Sequence, residues 1–177
     1  MSDFTGGFVD PRKKDRIARY RWVAVASIIV AAILFQVYVP PFFSYFAYLE
    51  MPLLVTVYFS IMRRSQPTGV LLGMVVGLAQ DSLSPNHPLG LFGLVKTLVG
   101  YFAAYMAQRF DVQNHLSRFF ITLFLFGFHQ FFYWVLSNAL LGLPTSLAPG
   151  ETVVLAILNA GVAVPLYHVL DKLRVTD

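Results

Sequence analysis

From Trp22 to Leu170 the chain is a succession of long apolar stretches, and its charges fall almost entirely between them. A helix needs about 20 apolar residues to cross a ~30 Å hydrocarbon core. Six such helices would use about 120 residues, leaving room for short loops and tails only. Of the residues, 57% are hydrophobic and 12% charged, against about 45–50% and about 25% in a soluble domain. That balance excludes a disordered chain and argues against an ordinary water-soluble enzyme. With no cysteine there is neither a disulfide framework nor a thiolate metal site. The expected fold is all-α: a polytopic membrane bundle of six transmembrane helices.

The first span is expected from Trp22 to Val39, stopped by Pro40-Pro41. At 18 residues it is too long for a cleavable signal and reads as a signal anchor. The second lies within Phe43 to Met62, with a kink or an unwound first half at Pro52. The third runs from Pro67 to about Asp81, short enough that a re-entrant loop is an alternative. A loop from Ser82 to His87 leads to the fourth, Pro88 to about Gln108. The fifth runs from Phe119 to about Leu140 and the sixth from about Thr152 to Leu170. This divides the chain into a basic tail (1–21), a membrane domain (22–172) and a short C-terminal tail (173–177).

The cations sort onto one side of this layout. Arg12, Lys13, Lys14, Arg16, Arg19 and Arg21 precede the first span. Arg63 and Arg64 join the second to the third, Arg109 and Arg118 the fourth to the fifth, and Lys172 and Arg174 follow the sixth. Of the 13 Lys and Arg, only Lys96 falls inside a span. By the positive-inside rule both termini are then cytoplasmic. The tail from Asp10-Pro11 reads as a helix start. Its cations would hold the chain to the lipid bilayer, or dock a cytoplasmic partner. No fold for nucleic-acid binding lies outside the membrane.

Gly69, Gly73 and Gly77 stack on one face of the third helix, where another backbone can approach closely. Packing within the bundle is the simpler reading, and a homodimer face the alternative. The fifth span is rich in aromatics all round, and Phe124, Phe128, Phe131 and Phe132 offer a surface for a partner's transmembrane helix.

Measured from the cytoplasmic end of each helix, one polar residue per helix falls at a common depth. Gln36, Glu50, Asp81, Lys96, His129 and Asn159 all lie about 17–22 Å up at 1.5 Å per residue. Intramembrane charges pair or face a cavity. Asp81 and Lys96 neighbour one another across a hairpin, so an ion pair is expected, with Glu50 as a second carboxylate. The layer is either a closed pair fixing helix register or a polar pocket open to the outside. No nucleophile–base pair, paired aspartates or histidine cluster is apparent, so neither enzyme, metal nor cofactor is expected.

The run Gly77-Leu78-Ala79-Gln80-Asp81-Ser82-Leu83-Ser84, then Pro88-Leu89-Gly90, then Val99-Gly100-Tyr101, resembles the core of the rod shape-determining MreD family. Pro52, Tyr58 and Arg63 are similar to that family's early segment, and the resemblance covers roughly residues 22–172. It implies a non-enzymatic scaffold of the bacterial inner membrane that binds MreC, a protein with one transmembrane helix and a periplasmic coiled coil. The wider partners it implies are MreB, RodA and a class B penicillin-binding protein, in peptidoglycan synthesis during cell elongation. It also implies a fold shared with the substrate-binding subunits of ECF-type vitamin transporters. The alternative function is therefore a small-molecule-binding subunit of such a transporter, using Glu50, Asp81 and Lys96.

Overall fold

The computed structural model describes residues 22–84, 90–142, 146 and 148–173. The basic tail, the expected loop beyond Ser84, Pro88, Pro144 and Arg174 lie outside the described residues. Six α-helices, and no strand, make up the described residues: α1 (Trp22–Tyr38), α2 (Met51–Arg63), α3 (Gln66–Leu83), α4 (Leu91–Arg109), α5 (His115–Leu141) and α6 (Pro149–Asp171). A 3-10 turn over Ser44–Tyr48 precedes α2.

The prolines set the helix limits. α1 ends just before Pro40-Pro41, and the N–H groups of Phe42 and Phe43 fold back onto the Val39 carbonyl. The second apolar stretch is divided rather than kinked. Pro52 lies in the first turn of α2, where its missing N–H is not needed. Arg64, in a left-handed conformation (φ 51°), then turns the chain sharply into α3. α3 continues past Asp81 to Leu83 as one helix of 18 residues, about 27 Å long at 1.5 Å per residue. α3 is thus longer than the short helix on which the re-entrant alternative rests. α5 starts earlier than the apolar pattern suggests, because Asn114 Oδ1 accepts the Leu116 N–H and caps it at His115.

α2 is the centre of the bundle. Every residue from Pro52 to Met62 is buried, and the other five helices all pack against it. The closest pairing is α3 with α4. A Cβ on Gly69 would strike the Gly100 carbonyl, one on Gly73 the Lys96 carbonyl, and one on Gly77 the Phe92 carbonyl. The three glycines therefore seat α3 directly on the α4 backbone.

Specific contacts bring the cation-bearing helix ends to one end of the bundle. The Arg63 guanidinium lies 4.7 Å over the Trp22 ring, joining the start of α1 to the end of α2. Gln108 Nε2 donates to the Arg64 carbonyl, placing the end of α4 at the α2–α3 turn. Arg118 near the start of α5 meets Asp171 at the end of α6. α5 over His115–Ala139 and α6 over Pro149–Asp171 are each long and apolar enough to cross a membrane. Only 28% and 33% of their most apolar stretches are buried inside the protein, so most of each stretch faces outward.

Candidate functional site

The end of the bundle opposite the cations holds the expected polar residues, and the structure divides them into three groups. The first surrounds the start of α2. A helix beginning inside a protein exposes N–H groups that need partners. The Glu50 N–H donates to Asn159 Oδ1 at 2.9 Å, and the Met51 N–H to Gln36 Oε1 at 3.1 Å. Asn159 Nδ2 donates in turn to the carbonyls of Tyr48 and Leu155. Gln36 on α1 and Asn159 on α6 thus hold the broken second stretch in place from both sides.

The second group is Asp81. Its expected ion pair with Lys96 is not formed. Asp81 Oδ2 accepts the N–H groups of Gly90 (3.0 Å) and Gly93 (2.9 Å), and Oδ1 accepts that of Phe92 (3.2 Å). The carboxylate is 2% exposed and caps the start of α4, where it also meets the positive end of that helix's dipole. The physical reason for the difference is that buried N–H groups are obligatory donors.

The third group centres on Phe92. Lys96, fully buried, pairs with Glu50 instead, Nζ to Oε2 at 3.6 Å, and its ammonium lies 4.4 Å over the Phe92 ring. His129, 1% exposed, stacks on the same ring, 6.1 Å between centroids and 3° between planes. Tyr133 stacks on Phe92 as well. Glu50 Oε2, Lys96 Nζ and both ring nitrogens of His129 are buried without a hydrogen-bond partner among the described residues.

The glycine face of α3 is wholly covered by α4. On α5 the four singled-out phenylalanines divide. Phe124 and Phe131 are exposed, together with Phe120. Phe128 and Phe132 are half-buried, their rings tilted against one another at 4.4 Å, with Phe128 also against Phe102 of α4.

A network at the cation end escapes the sequence reading. Arg118, there a loop cation, is 1% exposed. Its Nη1 donates to Asp171 Oδ2 at 2.6 Å and its Nε to the Val112 carbonyl at 2.7 Å. The Tyr58 hydroxyl donates to the other oxygen of Asp171 at 2.9 Å. Tyr167 donates to the Leu54 carbonyl beside it. The clue was an arginine four residues before Thr122, on the same helical face as a run of buried positions. Arg118→Met should cost roughly 2–4 kcal/mol, below the full value for a buried pair because the Asp171 side chain is 23% exposed. Tyr58→Phe should cost about 1 kcal/mol. Thermal unfolding in detergent checks both.

No solved structure and no curated protein matches this chain. The expected likeness to ECF substrate-binding subunits therefore finds no support. The model of the family described as rod shape-determining protein MreD matches residues 16–174, nearly the whole chain. The chain belongs to the MreD family, membrane proteins that act in determining rod shape.

Proposed function

We propose that the chain is a six-span scaffold of the bacterial inner membrane, with both termini cytoplasmic, that binds MreC. Through MreC it helps position RodA, a class B penicillin-binding protein and the MreB cytoskeleton, and so maintains cell shape. It carries out no catalysis of its own. The observation that supports this best is how the polar residues are used. Gln36, Asp81 and Asn159 are occupied in capping helices. What faces outward is apolar: Val30 and Leu34 on α1, Leu71 and Val75 on α3, Leu94 and Tyr101 on α4, Phe120 and Phe124 on α5, Val153 and Ile157 on α6. Such surfaces suit lipid and other transmembrane helices. The gathering of Arg63, Arg64, Arg109 and Lys172 at the helix ends of one side supports the topology.

The exposed ridge Phe120, Phe124 and Phe131 is the proposed seat of the MreC transmembrane helix. The chain should restore rod shape to cells lacking their own MreD. A Phe120→Ala, Phe124→Ala, Phe131→Ala triple variant should accumulate in the membrane yet leave the cells round. Rod-shaped cells carrying the triple variant would remove this ridge from the interface.

A further inference from the structure

Around Phe92 lies a cluster whose hydrogen-bonding capacity the described residues do not use. Lys96 Nζ and Glu50 Oε2 are 3.6 Å apart, too far for the 2.7–2.9 Å of a charge-assisted hydrogen bond. Neither atom, nor Nδ1 or Nε2 of His129, has another partner among the described residues. A buried polar group left so destabilises the fold. His129 cannot relieve this by turning, because its ring is stacked against Phe92 and against Tyr133.

The chemistry of the cluster defines what would complete it. Lys96 needs an acceptor and Glu50 a donor, while a neutral imidazole needs one of each. A guest must therefore donate and accept from the same few atoms. The charges of Lys96 and Glu50 already cancel, so a charged guest would be left unbalanced in a site of low dielectric. Water meets both conditions, and buried water makes about three such bonds. Lys96 is 0% and His129 1% exposed, whereas the Glu50 side chain is 18% exposed.

We infer that Glu50, Lys96 and His129 form an internal water-binding site, in which bound water supplies the bonds these three side chains lack. Its hydration makes the Lys96–Glu50 pair a solvated pair within the apolar bundle rather than a dry one. Gln36, Asn159 and Asp81 remain dry helix caps beside it.

The test is a water-resolving structure of the full chain in lipid nanodiscs. Compact density should lie about 2.7–3.2 Å from Lys96 Nζ and from a ring nitrogen of His129. Side chains closed directly onto one another with no density between them would overturn the inference, as would density too large for water. His129→Phe gives a second reading with opposite signs. Phe keeps the stack on Phe92 but removes both nitrogens. A hydrated site loses bonds to its water, and the unfolding midpoint falls. In a dry site two unsatisfied atoms disappear, and the midpoint rises. If that variant fails to accumulate, the structure of the unaltered chain decides alone.

Discussion

Exchanging Asp81 and Lys96 within one chain should not rescue the fold that either single reversal breaks. Were the two residues an ion pair, Asp81→Lys with Lys96→Asp would restore it. Asp81 instead accepts three N–H groups at the start of α4. A lysine accepts nothing, and it would set a positive charge against the positive end of the helix. Three stranded donors at about 1–3 kcal/mol each put the loss at roughly 3–9 kcal/mol. For a chain of this size that lowers the unfolding midpoint by on the order of 10 °C. Asp81→Asn, which keeps one acceptor oxygen, should fall between the swap and the unaltered chain. Thermal unfolding of the four purified variants in one detergent checks the order. A swapped chain as stable as the original would reinstate the ion pair.

Gly73→Leu should be as damaging, for a steric reason. Any Cβ at Gly73 runs into the Lys96 carbonyl and the Thr97 nitrogen of α4, which are backbone atoms and cannot swing aside. Gly73→Ala should cost about 1–3 kcal/mol and Gly73→Leu more, by forcing α3 from α4. The contrast is Gly127 on α5, where a Cβ would meet nothing within 4 Å. Gly127→Ala should stabilise by about 0.5–1 kcal/mol, since alanine loses less entropy than glycine in a helix. Equal effects at positions 73 and 127 would mean that the glycine spacing on α3 does not set the approach of the two helices.

Those two cases mark what can be read from the sequence and what cannot. The glycine spacing on α3 is a local, periodic signal, and its covering by α4 follows from helix geometry. Pro52 likewise signals a break by its residue type alone, although it is the chain around Tyr48 and Glu50 that shows the break to be complete. Rise per residue gives Gln36, Glu50, Asp81, Lys96, His129 and Asn159 a common expected depth. Position around the bundle is not legible. Rise gives a height but no partner, and so it cannot tell that Gln36 and Asn159 converge on α2 while Asp81 turns to α4. The partner of Asp81 was further hidden because it is backbone, and N–H groups carry no residue name. Arg118 is hidden for a related reason. Its charge reads as loop, while Asn114, four residues earlier, starts the helix that buries it.

The central proposal, a membrane scaffold that works through helix contacts with MreC, is tested most directly by recovery from native membranes. The tagged full chain, solubilised in mild detergent from cells growing as rods, should bring down MreC in constant ratio. The Asp81→Asn chain should do the same wherever it still folds, because that carboxylate serves the fold and does not face the partner. The Phe120, Phe124 and Phe131 triple variant should lose MreC while keeping its own unfolding midpoint. A folded, unaltered chain recovered repeatedly without MreC would contradict the proposal.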